Sequence, residues 1–525
     1  MFKTRVVSVV LTLSGALWAG DPDSVWPEKV RPIVERPAFR HAEFGIAVYS
    51  IPRQKFVYRS NADKLFVPGS TTKLLTVGTA LHLLGADYRF RTRMYRTGKL
   101  ENGTLHGDLV LVASGDPNLS NRIQRDGTLA FEDHDHSYGG DRDTKAVPGD
   151  PLAVLREMAR QVADRGIREV DGRVLVDAGL YPEGTRELGT GVVVSPVMVN
   201  DNVVDVTVVP GASDGAAATL RISPDTPYVT FTSAVKTGAP GSKTSLDFGI
   251  DSAEAGGVRK VTLTGSIPAG GQPLLIAYPV PQPSRFAEVA FEKVLKDAGV
   301  RIVHQQAEAR PKFDELSSSY TEGNLVAEHV SPPLAEEAKV TLKVSQNLHA
   351  SAFPYLLGAL IGKKKPGTDQ AGFDAEREFL QNAGLDLTAA MQSDGAGGAA
   401  MFTPEFMVSY LLYMSKQPEF GAFFRGLPVL GRDGTLARVL PDSPAAGHVF
   451  AKTGTYAESD MLNRRLMITG KGLAGFIDAR SGERFAFAAY VNRVSVAQDD
   501  PDAITIVAAG ALGEIAAVFY DSSNP

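Results

Sequence analysis

Cysteine is absent from the 525 residues, which excludes disulfides, thiolate nucleophiles and cysteine-bound zinc in one step. It also excludes lipid attachment through a cysteine. Positive charge is not in excess: 54 Lys and Arg stand against 60 Asp and Glu, a net charge of −6. No half of the chain forms a basic surface, so nucleic acid is not expected as a partner. After Gly20 no apolar run approaches a membrane-spanning length, so no stable transmembrane anchor is expected. What is present, 43% hydrophobic and 22% charged residues, is the balance of a globular protein. The chain is too long for one growing core, so two or three domains are the default.

The N-terminus has the pattern of an export signal over residues 1–19. Lys3 and Arg5 precede the apolar stretch Val6 to Leu17, and Ala16-Leu17-Trp18-Ala19-Gly20 offers small residues for cleavage. The expected address is a bacterial periplasm or the cell exterior.

After the signal, Phe44 to Ser50 and Lys55 to Tyr58 are expected to be strands around a turn. A helix is expected from Ser70, with Leu74, Val77, Leu81 and Leu84 on one face and Gly85 as its stop. From about Arg89 to Tyr278 short β-branched runs alternate with Gly, Pro and Asp, as in small β-rich modules. Gln272 to Pro283 is expected to be a linker returning from them. Helical patterns resume over 284–299, 334–343, 348–362, 368–384 and 403–417. Strand patterns follow over 448–453, 473–478 and 484–492, and a last apolar helix is expected over 503–520. One α/β domain, residues 22–88 and 279–525, interrupted by a β-rich insertion over 89–278, is the simplest organisation.

Ser70-Thr71-Thr72-Lys73 puts a hydroxyl in the first turn of a helix with a lysine one turn on, both on one face. A serine needs an adjacent base, and a lysine serves once its surroundings lower its pKa. The helix N-terminus adds positive field and N–H donors. Alone, Ser-x-x-Lys is weak, because an N-capping serine and a surface lysine give the same letters. Two further motifs strengthen it. Ser345-Gln346-Asn347 lies in a break between helical patterns: its serine can pass a proton to a leaving amine, and its asparagine can orient an amide. Lys452-Thr453-Gly454-Thr455 ends a strand pattern. Its lysine and hydroxyls can hold a carboxylate, and Gly454 lets a substrate backbone approach the strand.

This trio resembles the Ser-x-x-Lys, Ser-x-Asn and Lys-Thr-Gly set of penicillin-binding proteins and serine β-lactamases. More narrowly, the chain is similar to the D-alanyl-D-alanine carboxypeptidase/endopeptidases of the penicillin-binding protein 4 (DacB) type. These are peptidase family S13, class C low-molecular-mass penicillin-binding proteins, with a long insertion between the first two motifs. Ser114-Gly115-Asp116-Pro117-Asn118-Leu119, Met198-Val199-Asn200-Asp201-Asn202, Ser393-Asp394-Gly395 and Leu427 to Leu436 extend the likeness along most of the mature chain. The resemblance implies a transpeptidase/β-lactamase-like α/β (α+β) domain, an antiparallel sheet flanked by helices, with two smaller inserted domains. It implies acylation of Ser70 by peptidoglycan stem peptides, with Lys73 as base. The backbone N–H groups of Ser70 and Thr455 would form the oxyanion hole, and Ser345 would be the proton donor. Asn347 would hold the substrate amide, and Lys452, Thr453, Gly454 and Thr455 would form the carboxylate pocket. β-Lactams would be covalent inhibitors, and no cofactor or metal is implied. The chain departs from the family at Gln346, where aspartate is frequent, and at Asp394-Gly395-Ala396-Gly397, where the family's Asp-Gly-Ser-Gly has a hydroxyl.

Other matches have blander readings. Gly211-Ala212-Ser213-Asp214-Gly215 fits a nucleophile elbow but leads into another strand pattern, so a hairpin turn is expected. Ser233 to Gly238 overlaps two motifs on one lysine, in what is expected to be a loop, and is attributed to chance. Glu132-Asp133-His134-Asp135-His136 contains metal-ligand types but is expected to be a solvated loop. His349 invites a Ser-His-Asp reading, yet capping or core packing fits its helix better. Gly395 and Gly397 follow no clear strand, so a dinucleotide site is not expected. Two rival functions stand beside the peptidase. One is a β-lactamase or esterase with the same acyl-enzyme, distinguished by turnover of a penicilloyl adduct in seconds. The other is a non-catalytic cell-wall-binding protein, which would need neither Lys73 nor Ser345.

Overall fold

The computed structural model describes residues 26–303, 311–363, 365–497 and 504–521. The expected export signal lies outside the described residues.

One antiparallel sheet organises the first body. Its strands run in the order Lys55–Ser60, Glu43–Ser50, Arg484–Asn492, Arg465–Asp478 and Val449–Asp460, and Val494–Ala497 adds to the far end of Arg465–Asp478. Successive side chains of a strand face opposite ways, and the central strand Arg484–Asn492 is apolar on both faces. Ala486, Ala488 and Tyr490 join Ala474 and Phe476 beneath a helical layer. Phe485, Phe487, Ala489 and Val491 join Leu473 and Ile477 against the opposite layer. The first layer holds the helices Lys73–Leu84, Leu334–Lys343, Asn347–Leu360, Asp369–Asn382 and Pro404–Met414. The second holds Trp26–Val34 and Gly510–Tyr520. This is the expected α/β body with an antiparallel sheet between helices.

The insertion forms two further units. A mixed sheet, Leu325–Val330, Arg91–Arg96, Leu109–Val112 and Val174–Asp177, is covered by the helices Ala153–Asp164 and Pro283–Asp297 around Met94, Leu111, Leu155, Val176, Phe286 and Phe291. A smaller all-β unit packs the sheet containing Val203–Val209 against the sheet containing Arg259–Pro268, through Val206, Val208, Val235, Leu263 and Ile267.

Two expectations are corrected here. Gln272 to Pro283 is not a bare linker: Leu274–Pro279 is a strand paired antiparallel with Val203–Val209. The insertion also does not close at 278. The Pro283–Asp297 helix buries its apolar face in the inserted core, and Leu325–Val330 pairs with the outgoing strand Arg91–Arg96. Backbone bonds from Ser331 to Phe90, Leu334 to Tyr88 and Ala335 to Ala86 zip the exit and return together. The chain therefore rejoins the first body near residue 331.

Candidate active site

The first motif sits on a 3₁₀ turn, Gly69–Thr72, that runs directly into the helix Lys73–Leu84. Gly69 has φ +51°, and a Cβ there would lie 2.5 Å from the Thr455 nitrogen. On the facing strand, a Cβ on Gly454 would lie 1.9 Å from the Pro68 carbonyl oxygen and 2.9 Å from the Ser70 nitrogen. Only glycine at both positions lets the turn and the strand Val449–Asp460 meet backbone to backbone. A third glycine buttresses the turn, since a Cβ on Gly397 would strike the Gly69 carbonyl oxygen at 2.1 Å. Gly397 belongs to the Asp394-Gly395-Ala396-Gly397 segment, whose Asp394 carboxylate accepts N–H bonds from Ala396, Gly397, Gly398 and Ala399.

Lys73 is fully buried. Its Nζ donates to Ser70 Oγ at 2.7 Å, Ser345 Oγ at 3.1 Å and Asn347 Oδ1 at 2.5 Å. Burial lowers its pKa to about 7, against the opposing pull of Glu187 and Asp394. Ser345 lies between two helices with φ +64°, a left-handed conformation that a non-glycine residue adopts at a cost. Its hydroxyl oxygen also accepts from Lys452 Nζ at 2.9 Å. Two nitrogens donate to that oxygen, which leaves its own hydrogen free to point at a substrate.

Lys452 donates to the Thr453 carbonyl at 2.8 Å as well. Burial, with the charges of Lys73 and Lys471, holds its pKa well below the usual lysine range. Its Nζ faces inward to Ser345 and the Thr453 carbonyl. Thr453 Oγ1 bonds Thr435 Oγ1 at 2.8 Å. The structure brings Ser70, Lys73, Ser345, Asn347 and the strand Lys452 to Thr455 into one cluster. Two cavities, of about 280 and 540 Å³, are both lined in part by Ser70 and Thr455.

Several residues of the site went unseen in the sequence. Tyr138, from the inserted region, donates its hydroxyl to the Ser345 carbonyl. Gln346 Oε1 caps the next helix through the Leu348 N–H at 3.0 Å, and its amide nitrogen donates to Asp135 and Ser137. The departure at Gln346 is therefore an anchor. Asp135 and His136, expected on a solvated loop, are buried. Asp135, His136 and Asp201 place their ligand atoms within 4.8 Å of one another, but the Arg122 guanidinium already bonds both carboxylates. His349 is buried against Asp201 at 2.8 Å and Glu337 at 2.9 Å, as a core residue rather than a partner of Ser70. Of the remaining matches, Gly211 to Gly215 is a turn between paired strands. Ser233 and Lys236 lie on strands rather than in the expected loop.

Comparison with known proteins gives a consistent picture. Residues 27–512 match the model of the D-Ala-D-Ala carboxypeptidase 3 (S13) family. A D-alanyl-D-alanine carboxypeptidase of Actinomadura sp. (strain R39) is 26% identical over 486 residues, 87% of this chain and 79% of that protein. The DacB carboxypeptidase of Haemophilus influenzae is 22% identical over 465 residues, 86% of this chain and 85% of that protein. The crystal structure of penicillin-binding protein 4 from the same organism superposes with a TM-score of 0.70 at 20% identity, covering 95% of this chain and 98% of that one. A second structure of that protein, complexed with a β-lactam, superposes with a TM-score of 0.66.

Proposed function

The chain belongs to the D-Ala-D-Ala carboxypeptidase 3 (S13) family, and on that premise we propose that it cleaves D-alanyl-D-alanine ends of peptidoglycan stem peptides through an acyl-enzyme on Ser70. The observation that carries this reading is Lys73 Nζ at 2.7 Å from Ser70 Oγ, buried and with a pKa of about 7. A large fraction of that amine is neutral at neutral pH and able to take the hydroxyl proton.

Ser70 Oγ attacks the carbonyl between the two D-alanines as its proton moves to Lys73. The N–H groups of Ser70 and Thr455 receive the developing oxyanion, a stabilisation of about 3 kcal/mol per donor. Ser345 relays the proton to the departing amine and recovers one from Lys73, to which it is hydrogen-bonded. Asn347 orients the substrate amide, and Thr453 and Thr455 hold the terminal carboxylate. Water then releases the acyl group. A cross-link is open to the same chemistry when the leaving amine belongs to a neighbouring stem. The action is placed in the periplasm or outside the cell.

The test is intact mass after mixing with a penicillin, followed by tryptic mapping and assay of D-alanine release from a stem pentapeptide. The expected result is one adduct on Leu65–Lys73, lasting hours, together with D-alanine release. Loss of the adduct within seconds would move the reading to a β-lactamase, and absence of any adduct would overturn the mechanism. Gly454→Ala tests the oxyanion geometry separately. Its methyl has no room against Pro68 and Ser70, so the adduct should form about 10² to 10³-fold more slowly. A rate within threefold of wild type would remove the N–H groups of Ser70 and Thr455 from the mechanism.

A further inference from the structure

Besides Lys73 and Lys452, a further buried lysine lines the larger of the two cavities at Ser70. Lys471 lies on Arg465–Asp478 directly across from Thr455, and its Nζ donates to Thr455 Oγ1 at 2.6 Å. The residue is 7% exposed and lines the 540 Å³ cavity with Ser345, Thr435, Thr453 and Thr455.

Its charge is not otherwise committed. Lys73 and Lys452 spend their donors on Ser70, Ser345, Asn347 and the Thr453 carbonyl. Arg438, the other cation lining this cavity, is paired with Asp143 at 2.6 Å. Among the described residues no carboxylate lies within ion-pair distance of Lys471 Nζ, and a single hydrogen bond uses one of its three N–H groups. Burial lowers its pKa to about 8, so it remains mostly a cation at neutral pH. A buried cation without an anion is costly to keep, and it stands beside two threonine hydroxyls one strand away from the nucleophile.

We propose that Lys471 is the counter-charge for the carboxylate carried by the carbon that bears the leaving amine. A terminal D-alanine presents that group one residue beyond the scissile carbonyl. The strand that brings the Thr455 N–H to Ser70 also brings Thr455 Oγ1, and with it Lys471, to where that carboxylate falls. The assignment rests on the peptidase reading above and narrows it to a substrate class. Free-ended D-alanyl-D-alanine stems qualify, as do cross-links whose leaving amine sits on a carboxylate-bearing carbon. Stems amidated at that carboxylate, or cross-links whose leaving amine sits on a plain methylene, do not.

The test compares kcat/KM on an N-acyl-D-alanyl-D-alanine with that on its C-terminal amide, for the wild type, Lys471→Met and Lys471→Arg. The wild type should prefer the free acid by about 10²-fold, a size typical of a charged pair in a desolvated site. Lys471→Met should lose most of that preference through KM, and Lys471→Arg should recover a large part. Thermal melting confirms that both variants are folded. An acid-to-amide ratio unchanged in Lys471→Met, whether both rates hold or fall together, overturns the assignment and leaves Lys471 a structural residue. A wild-type enzyme that cleaves neither peptide overturns the functional reading itself, and the assignment with it.

Discussion

Lys73→Arg is expected to slow acylation of Ser70 about 10³ to 10⁴-fold while leaving the protein folded. General-base catalysis is commonly worth about 10² to 10⁴-fold, and arginine keeps the positive charge but never gives up its proton. The structure supplies the contrast. Lys73 is buried in contact with Ser70, Ser345 and Asn347, and burial brings its pKa to about 7. The neutral amine is the active form, so at saturating substrate the wild-type acylation rate should rise with pH through about 7 and level off above it. Below that point it should fall about tenfold per pH unit. In Lys73→Arg that limb should vanish, because an arginine does not lose its proton in this range. Stopped-flow acylation by a chromogenic cephalosporin across this range reads both effects. An arginine variant within tenfold of wild type, or one that keeps the limb near pH 7, would assign the base to another group.

What the sequence could show of this site was its local part. Ser70 and Lys73 are one helical turn apart, and Lys452 to Thr455 are consecutive, so spacing alone places each set on one element. Contacts between distant elements are of another kind. Thr455 faces Lys471 only through the register of a hairpin, and the apolar patterns ending at Thr453 and starting at Leu473 stop short of it. The hairpin is longer because polar residues such as Glu458, Ser459 and Arg465 continue the backbone pairing, which needs no hydrophobic side chain. The helix Pro283–Asp297 shows a related limit. Its stripe of Phe286, Val289, Ala290 and Val294 predicts burial without saying against which body, and the pattern alone therefore ends the insertion before this helix. Tyr138 carries no motif and acts through a single hydroxyl. The burial of Asp135 and His136 is hidden for the same reason, since polar letters in a turn-rich stretch look alike whether solvated or paired.

That paired cluster gives the largest expected effect on stability. Asp201 is 1% exposed. Its Oδ2 accepts from Arg122 at 2.6 Å and meets His136 at 2.7 Å, and its Oδ1 meets His349 at 2.8 Å. It also lies in a turn, Asn200 to Asn202, whose three residues all have φ near +50°, a conformation Asn and Asp tolerate best. Asp201→Asn preserves the turn and removes the charge, leaving Arg122 and the two histidines under-compensated. The expected loss is about 3–5 kcal/mol, the usual result of deleting one partner of a buried ionic cluster.

The pH dependence has a definite sign. The folded pKa of Asp201 is held well below its ordinary value by Arg122 and His349 against desolvation, so its contribution is present above about pH 4 and lost on acidification. His136 is raised well above its ordinary value, and His349 to about 9, where Glu337 and Asp201 outweigh desolvation. Their contributions are complete below about pH 6.5 and are lost as pH climbs through the folded values. The melting temperature lost in Asp201→Asn should therefore be largest near pH 5–6 and shrink towards pH 9. The cluster also reaches the catalytic loop, because Asp135 shares Arg122 and holds Gln346, the neighbour of Ser345. The variant should thus acylate more slowly even where it is fully folded. A melting temperature unchanged at about pH 5.5 would show that Arg122 and the histidines are balanced by the remaining carboxylates alone.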